Sequence, residues 1–394
     1  MHFTMPEFAP LLGDEPFALD LQALAEYLDA IPDWRDPRGC RYPLGLLLLL
    51  AVLAKLAGYP NPRAIAHWAR LRQAELVAFF GLPRATMPHP TTWSRILGHA
   101  VAPRDLDAAL RGFFRRPSAA SAGPLLHLTL DGKTVRGTIA AGSSRGVHLL
   151  AVFVPGLGFA LAQIPVDGKA NEVTAAPRVL TGLPLAGALV SGDAIFTQRA
   201  LSAQIVAAGG AYLWPVKKNQ PQLYEDLVIA FAPLRPDERA SDYDYRTATS
   251  SSKGHGRQEE RTIRVTSMLA GYSRWPGLAQ AFAVRTEVRE GARTTTTVRY
   301  GITSLRPEQA GPEELLRLVR EHWEQEAGLH YRRDVTLDED RRQVRRGTAP
   351  EVNAALNNAV VGLAGLHREP NLAAVQRAFA YRLDKALQAH ALRC

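Results

Sequence analysis

Three carboxylic acids stand out in this sequence because of the local patterns that surround them. Asp131 ends the run LLHLTLD, in which leucines alternate with polar residues, so the acid falls on the more polar face of a predicted strand. Asp193 holds the same place in the run GALVSGD. Glu326 lies on the apolar stripe of an amphipathic helix predicted over 315–333. An ionised group on a buried face is costly unless it is paired, hydrogen-bonded or bound to a metal, so Glu326 needs a partner.

These acids can do metal-dependent chemistry if the two strands are neighbours and the helix packs across their ends. Carboxylates held together without a cation repel and raise each other's pKa, so a cluster of three makes physical sense chiefly as a divalent-metal site. Oxygen ligands suit Mg²⁺ or Mn²⁺. Two such ions roughly 3.5 to 4 Å apart would activate a water or a 3′-hydroxyl for in-line phosphoryl transfer.

Simpler interpretations of the same residues stay open at this point. Glu326 could form a buried ion pair with Arg333 or with a histidine, and either aspartate could cap a turn. Zinc ligation by His322, Glu326 and His330 is excluded, because positions i and i+8 of one helix lie about 12 Å apart along its axis.

The elements that would position the acids follow one another in a recognisable order. Three short apolar runs, LLHLTLD, HLLAVFV and GFALAQIPV, predict an antiparallel meander. A helix at about 172–180, the strand GALVSGD, a helix at 197–208 and the strand AYLWPVK come next. This order predicts an α/β fold with a ribonuclease-H-like mixed sheet. Further strand-like runs between 218 and 312 predict a β-rich insertion before the helix of Glu326.

Composition limits the class of protein. The chain has 394 residues, 46% of them hydrophobic and 22% charged, as in a globular protein of two or three domains. Two cysteines exclude a disulfide framework and a cysteine-based zinc site. The apolar run 44–54 is too short to span a bilayer, which takes about 20 residues, and no secretory signal is evident. We therefore expect a cytoplasmic protein with a core helix at 44–54.

The N-terminal region is predicted to be helical and basic. Helical patterns separated by Pro and Gly run from 16 to 116. They include one helix over 62–81 and a later helix that Thr91 or Thr92 can cap after Pro90. Residues 60–116 carry nine arginines against three acids. Such a stretch indicates a helix-turn-helix-like DNA-binding module, with Arg95 in HPTTWSRIL as a contact, or else a plain helical packing domain. We predict a linker at 115–124 and three regions: a helical domain at 1–116, a catalytic domain at 117–346 and a helical tail at 347–394.

Several motifs together resemble DDE transposases of the ISAs1 insertion-sequence family, which includes the H-repeat-associated proteins. The motifs LDGKTVRGT, KANE, SGDAIFTQ, VKKNQPQL, HGRQEER and HWEQEAGLHYRRDVTLDED occur in the expected order. The N-terminal DWRDPRGCRYPL and HPTTWSRIL are similar to that family's associated domain. Each motif taken singly is weak, but together they cover 33 to about 346.

The resemblance implies that Asp131, Asp193 and Glu326 are a catalytic triad that binds Mg²⁺ or Mn²⁺, as two ions. The residues around the third acid depart from the family pattern, since Gln325-Glu326-Ala327 stands for Ile-Glu-Asn and Leu329-His330-Tyr331 for Leu-His-Trp. Arg333 occupies the place of a basic residue seven positions after the acid and is expected to contact a phosphate. The alternative for Arg333 is an ion pair with Asp334 or Glu326.

The other expected DNA contacts are basic or polar residues beside these motifs. Arg257 has a salt bridge with Glu259 or Glu260 as an equal alternative. The full set of expected DNA contacts is Lys133, Arg136, Lys217, Asn219, Gln220, Arg257, His322, His330, Arg333 and Arg95.

The resemblance therefore predicts a nucleoid-associated transposase. It would bind the terminal inverted repeats of its own insertion sequence as a homodimer on double-stranded DNA, cut at the ends and join the 3′-hydroxyls to target DNA, with no membrane partner. The alternatives are a host-retained Mg²⁺-dependent nuclease and a domesticated DNA-binding protein without catalysis. Retention of all three acids argues against the last of these.

Overall fold

The computed structural model describes residues 20–114, 125–143, 146–155, 159–166, 171–235, 239, 242–254, 256–366 and 371–381, and leaves out the side chains of 323–331 and 366. The predicted linker at 115–124 and the motif residues Lys169, Ala170 and His255 lie outside the described residues. The chain divides into two compact units. Unit 1 consists of Met1–Ala122, Gly132–Lys169 and Ala327–Cys394, and unit 2 consists of Gly123–Asp131 and Ala170–Glu326.

The helices and strands follow the predicted order. The described α-helices are α1 (Leu21–Asp29), α2 (Leu44–Leu56), α3 (Pro62–Leu71), α4 (Gln73–Phe80), α5 (Pro90–Arg95), α6 (Pro103–Phe114), α7 (Glu172–Leu180), α8 (Arg199–Ala207), α9 (Pro221–Ala230), α10 (Pro312–Tyr331), α11 (Ala349–Leu366) and α12 (Leu372–Tyr381). The strands are β1 (Leu126–Val135), β2 (Val147–Val154), β3 (Phe159–Val166), β4 (Ala188–Gly192), β5 (Ala211–Val216), β6 (Arg246–Gly254), β7 (Arg257–Thr266), β8 (Gln280–Glu290) and β9 (Arg293–Thr303).

Helix α2 forms the centre of unit 1. Its sequence LGLLLLLAVLAKL is apolar on every face, and all of its residues are buried. It packs against α1, α3, α11 and α12. A helix that is apolar all round belongs inside a core, so the predicted core helix is confirmed. In the part of the chain that the structure describes, no helix combines the length and the apolar character needed to cross a membrane.

Lys55 joins α2 to the C-terminal helices. Its buried ammonium donates to the carbonyl of Pro60 at 2.8 Å and to the side-chain oxygens of Asn353 and Asn357 at 2.7 and 2.8 Å. An ammonium has three N–H donors, and all three find acceptors here. Helices on both sides of the predicted domain boundaries share one apolar core, which contains Val352 and Phe379. The boundaries themselves stay a prediction.

Two details of the helical region differ from the sequence prediction. The single helix predicted across 62–81 is broken at Arg72, whose φ of −105° and ψ of 18° end α3 and begin α4. Thr91 or Thr92 was expected to cap α5, but His89 is the capping residue and Pro90 takes the first helical position. Proline suits that position because its missing N–H would have no helical partner there.

Unit 2 is built around a mixed sheet. The strand order is β1-β4-β5-β9-β8-β7-β6, in which β1, β4 and β5 are parallel and the later strands antiparallel. In unit 1, β3 pairs antiparallel with β2, which neighbours β1. Strand β1 contributes to both units because the division falls after Asp131. The predicted α/β class, with a mixed sheet, a β-rich insertion and a helical N-terminal region, is confirmed.

The insertion continues the central sheet, and the first strand is longer than predicted. Strands β6 to β9 extend the sheet directly, since β9 pairs with β5 from Tyr300–Val216 to Thr303–Leu213. Asp131 was expected to end its strand, but β1 continues to Val135. The parallel pairing of β1 with β4 nevertheless stops at Leu130, so Asp131 follows the last paired position.

Helix α10 packs on unit 2 through the apolar stripe that its sequence predicts. Leu315, Leu316, Leu318 and Val319 are buried in one cluster with residues of β5, β7 and β8. This packing places the N-terminal half of the helix against the sheet.

Candidate active site

The two aspartates lie at corresponding positions of neighbouring parallel strands. Thr129 of β1 is paired with Ser191 of β4, and Leu130 with Gly192. Asp131 and Asp193 each stand two residues beyond the first pair. Because side chains alternate along extended chain and Asp193 is itself extended, with a φ of −65° and a ψ of 164°, both acids fall on the face of Thr129 and Ser191.

Gly192, between Ser191 and Asp193, lies where there is no room for a side chain. A Cβ at this position would lie 2.7 Å from the ring of Phe196 and 3.3 Å from the Cβ of Leu130. Both distances are too short for ordinary carbon contacts, so only glycine fits without a shift of its neighbours. The glycine of the SGD motif therefore permits close packing at the strand end.

Four polar side chains, which we call the Ser191 bridge, join α10 to β1 and β4. The Ser191 hydroxyl lies within hydrogen-bonding distance of His127 Nε2, at 2.8 Å, and of His322 Nδ1, at 3.2 Å. The other ring nitrogen of His127 lies 3.2 Å from a carboxylate oxygen of Glu321. The bridge therefore consists of Glu321, His127, Ser191 and His322, and it belongs entirely to unit 2.

His322 is an uncharged imidazole beside the two acids. The pKa of His322 is lowered to about 4, mainly by burial and in part by the nearby His127, although the carboxylates of Asp131 and Asp193 act in the opposite direction. The imidazole is therefore neutral near pH 7. Both aspartates lie close enough to act on His322 electrostatically, which brings them together with α10.

Glu326 follows His322 by four residues, so its backbone lies one turn further along the same face of α10. Its side chain, like that of His330, lies outside the described residues. Among the side chains that are described, no group of three His, Cys, Asp or Glu residues forms a metal site. The triad of Asp131, Asp193 and Glu326 therefore stays a prediction.

Glu321, the charged end of the Ser191 bridge, also contacts Arg317 of the same helix. The hydrogen bond with His127 lowers the pKa of Glu321; burial opposes this, and the charge of Arg317 adds to the lowering. Arg317 contacts Glu321 and also pairs with Glu314 at 2.6 Å. Glu321 is thus an ionised acceptor for the ring of His127.

Asp193 both caps a turn and holds a cation. Its side chain accepts from the backbone N–H of Ala194 at 2.6 Å, at the start of a short 3₁₀ turn. Lys217 Nζ lies 3.2 Å from the same oxygen, and both side chains are more than half exposed. The capping alternative is confirmed, and the carboxylate still faces an accessible, cation-attracting position.

The amide groups of Asn219 and Gln220 hold two loops of the protein together, and the DNA contacts expected of these two residues stay a prediction. Asn219 Nδ2 donates to the carbonyl of Ala194 at 2.7 Å, and Gln220 Nε2 donates to the carbonyl of Thr197 at 2.8 Å. The buried Thr197 hydroxyl in turn donates to the carbonyl of Pro215 at 2.6 Å. These contacts fix the loop after β5 against the loop that carries Asp193.

Arg333 does not present its charge to a phosphate in this structure. Its guanidinium is 1% exposed and donates through Nε and Nη2 to the Glu339 carboxylate, at 2.6 and 2.8 Å. The bidentate partner is thus Glu339 rather than the alternative Asp334. The side chain of Glu326, the other alternative, lies outside the described residues. A buried cation requires a buried counter-charge, and Glu339 supplies it.

Lys133 is likewise buried in unit 1. Its side chain is 7% exposed, contacts Asp334 and lies 3.7 Å from Asp340. The ammonium therefore belongs to a local ion-pair cluster in this structure, and the expected phosphate contact stays a prediction. The acids come from the segment DVTLDED that follows α10.

Three other expected contacts keep their charges at the surface. Arg136 is 77% exposed and lies 3.8 Å from Asp340. Arg257 is half exposed and pairs with Glu259 at 3.0 Å, which confirms the salt-bridge alternative. Arg95 is exposed at the end of α5.

Three members of the site, His127, Ser191 and Glu321, are not among the site residues predicted from the sequence. His127 and Ser191 lie on the polar side of the alternating pattern, four and two positions before an aspartate. The alternation that placed the acids therefore also marks these two residues. Nothing local distinguishes Glu321 from other acids on α10.

Comparisons with known proteins identify relatives of the whole chain. The family model described as "Transposase DDE domain" matches residues 123–361, and the model "DDE_Tnp_1-associated" matches residues 25–114. The chain is 27% identical over 376 residues to the "H repeat-associated putative transposase YhhI" of Escherichia coli K12, covering 91% of this chain and 97% of the relative. It is 26% identical over 353 residues to the "Putative transposase YncI" of Escherichia coli O157:H7, with 88% of each chain covered. An "Uncharacterized protein in dhlA 3'region" of Xanthobacter autotrophicus is 31% identical over 284 residues, which cover 71% of this chain and 93% of the relative.

Proposed function

Because this chain belongs to the DDE transposase family, we propose that it binds the terminal inverted repeats of an insertion sequence, cuts at their ends and joins the 3′-hydroxyls to target DNA. Family membership makes the chain a DDE transposase, an enzyme that acts on DNA and uses divalent metal. The ISAs1 subfamily, the inverted repeats, assembly as a homodimer and nucleoid association are finer parts of the proposal.

The observation that carries the proposal is the convergence of Asp131, Asp193 and α10 around His322. In this proposal the two aspartates and Glu326 are the metal ligands. Their oxygens fit Mg²⁺ or Mn²⁺, and Asp193 already pairs with one cation, the ammonium of Lys217 at 3.2 Å, which a metal ion would displace from the carboxylate. Two such ions would polarise the attacking oxygen and stabilise the leaving 3′-oxygen.

The protein side chains position the DNA in this proposal. Lys217, Arg136, Arg257 and Arg95 present exposed cations for the phosphate backbone. His322 is uncharged near neutral pH, so its contact with DNA would be a hydrogen bond rather than an ion pair. His330, further along the same helix, is proposed as a second such contact.

Cleavage of DNA that carries the flanking ends of the gene tests the proposal. The full chain is incubated with labelled duplex and Mg²⁺ or Mn²⁺, and wild type is compared with Asp131→Asn, Asp193→Asn and Glu326→Gln. We expect metal-dependent nicking at the ends that each substitution reduces by about a thousandfold or more, a loss of roughly 4 kcal/mol. Glu308→Gln, in an exposed loop of unit 2, is the matched control and should cut normally.

Two outcomes would replace the proposal. Metal-dependent cutting without preference for the ends would indicate a stand-alone nuclease. End binding by a wild-type chain that never cuts would indicate a DNA-binding protein without catalysis. Gel-shift assays on all variants separate loss of cutting from loss of binding.

A further inference from the structure

Each member of the Ser191 bridge lies within five residues of one of the three acids along the chain. His127 lies four residues before Asp131 in β1, and Ser191 lies two residues before Asp193. His322 and Glu321 precede Glu326 by four and five residues in α10. The bridge is therefore the polar connection between the two aspartate strands and the glutamate helix.

Apolar packing alone does not set the register of α10 on the sheet. Leu316 and Val319 hold the helix against the sheet, but the hydrophobic effect is non-directional. A slip of one residue along a helix is about 1.5 Å, whereas metal–ligand distances tolerate only about 0.2 Å. Hydrogen bonds, which require narrow distances and angles, can supply the missing precision.

The bridge contacts α10 at two successive residues. His322 approaches Ser191, and Glu321 approaches the far nitrogen of the His127 ring. Because adjacent helical residues point about 100° apart, contacts at both of them oppose rotation as well as sliding of the helix. His127 and Ser191 are 7% and 1% exposed, so solvent competes little for these hydrogen bonds.

We infer that the Ser191 bridge positions Glu326 relative to Asp131 and Asp193 and thereby sets the affinity of the site for its divalent ion. This inference rests on the proposed function. Ser191 and His127 act here as positioning residues. Neighbouring groups that orient metal ligands typically change metal affinity or activity by about 10- to 100-fold when they are removed.

Ser202 is a matched control for Ser191. It is fully buried in the same unit, and its hydroxyl accepts from Trp214 Nε1 at 3.0 Å and from Trp275 Nε1 at 3.1 Å. It also donates to the carbonyl of Gln198 at 2.9 Å. Removing this hydroxyl breaks a comparable buried network that contains none of the three acids.

The experiment compares Ser191→Ala with Ser202→Ala in the full chain. We expect the half-saturating Mg²⁺ concentration for end nicking to rise about tenfold or more in Ser191→Ala and to stay within about twofold of wild type in Ser202→Ala. Direct Mn²⁺ binding, followed by the paramagnetic resonance of the free ion without DNA, should show the same contrast. The thermal midpoint without metal is expected to fall in both variants.

Ser191→Thr restores a hydroxyl at the same position. A small cavity beside Ser191, lined in part by Leu213, Phe282 and His322, leaves room for the added methyl group. We expect Ser191→Thr to recover most of the wild-type Mn²⁺ affinity.

A second pair of variants keeps the test decisive if Ser191→Ala does not fold. Glu321→Ala removes the partly exposed end of the bridge, and Glu313→Ala is the control on the first turn of the same helix. We expect weaker Mn²⁺ binding only in Glu321→Ala.

Suppose that the wild type binds Mn²⁺ and cuts DNA. If Ser191→Ala and Ser202→Ala then have the same half-saturating Mg²⁺ concentration and the same Mn²⁺ affinity, the inference is overturned while the proposed function stands. A wild-type chain that neither binds Mn²⁺ nor cuts DNA would overturn the proposed function together with it.

Discussion

Unit 1 and unit 2 each contain a cluster of polar and charged side chains, and the two clusters balance charge differently. In unit 1, Arg333 and Lys133 are buried against acids of the segment that follows α10. Burial raises the pKa of Glu339, but the charge and hydrogen bonds of Arg333 outweigh it and hold that pKa below its usual value. In unit 2, Asp131 and Asp193 lie beside the Ser191 bridge, in which the hydroxyl of Ser191 connects the imidazoles of His127 and His322.

This difference separates charges that hold the fold from charges available for chemistry. A buried pair such as Arg333 with Glu339 satisfies itself and gains nothing from an external ion. Carboxylates that reach solvent at a sheet edge, as Asp193 does, can take up a divalent cation. A basic residue near a catalytic motif is therefore a DNA contact only if the fold leaves its charge at the surface.

The largest expected effect is that of Asp193→Asn, which should lower activity strongly and leave stability unchanged. Asp193→Asn should reduce metal-dependent end cutting by about a thousandfold, or roughly 4 kcal/mol of transition-state stabilisation. The thermal midpoint in metal-free buffer should not fall, because the side chain is exposed and one negative charge is removed from beside Asp131. A large drop in that midpoint would instead assign Asp193 to the fold, as in unit 1.

Arg333→Ala should show the opposite behaviour. Removing one partner of a buried pair leaves Glu339 without its counter-charge and costs about 3 to 5 kcal/mol of stability, which urea unfolding measures. The control is Arg341→Ala, whose side chain is 85% exposed and lies 3.8 Å from Asp338, and it should cost less than about 1 kcal/mol. Equal losses in the two variants would contradict a structural role for the buried pair.

The pH dependence of stability sharpens the description of unit 2. The pKa of His322 is about 4 in the folded chain and 6.5 as its ordinary value, so the unfolded chain binds more protons between these values. Stability should therefore fall as pH is lowered from 6.5 towards 4, by up to about 2 kcal/mol at pH 5. Urea unfolding without metal at pH 7 and pH 5 measures this loss. His322→Gln should show a shallower dependence, and identical curves for the two chains would refute the assignment to His322.

The smallest expected effect concerns an exposed ion pair. Arg257→Ala removes a surface contact with Glu259 and should change stability by less than about 1 kcal/mol. If Arg257 contacts a phosphate, DNA affinity should fall for all sequences, and the slope of log affinity against log salt should decrease by about 1. Arg306→Ala, an exposed arginine elsewhere in unit 2, should leave that slope unchanged. An unchanged slope in Arg257→Ala would remove it from the proposed DNA surface.

Local patterns by themselves determined the elements and the family. Helix α7 begins and ends where its sequence predicts, at Glu172 and Leu180, and the short apolar runs predicted β2 and β3 to within one residue. Periodicity is a property of neighbouring residues, so it can be read without the fold. The order of the motifs was enough to place the chain among DDE transposases, which the family match confirms.

Only the tertiary structure decided which charged and polar groups meet. Arg333 is followed by Asp334, Asp338, Glu339 and Asp340, and no local rule ranks these acids, yet the turn after α10 brings Glu339 to the guanidinium. His127, Ser191 and His322 are separated by 64 and 131 positions and meet through strand pairing and helix packing. Ion pairs and hydrogen bonds depend on distances of a few ångströms in space, and those distances are set by the whole fold rather than by spacing along the chain.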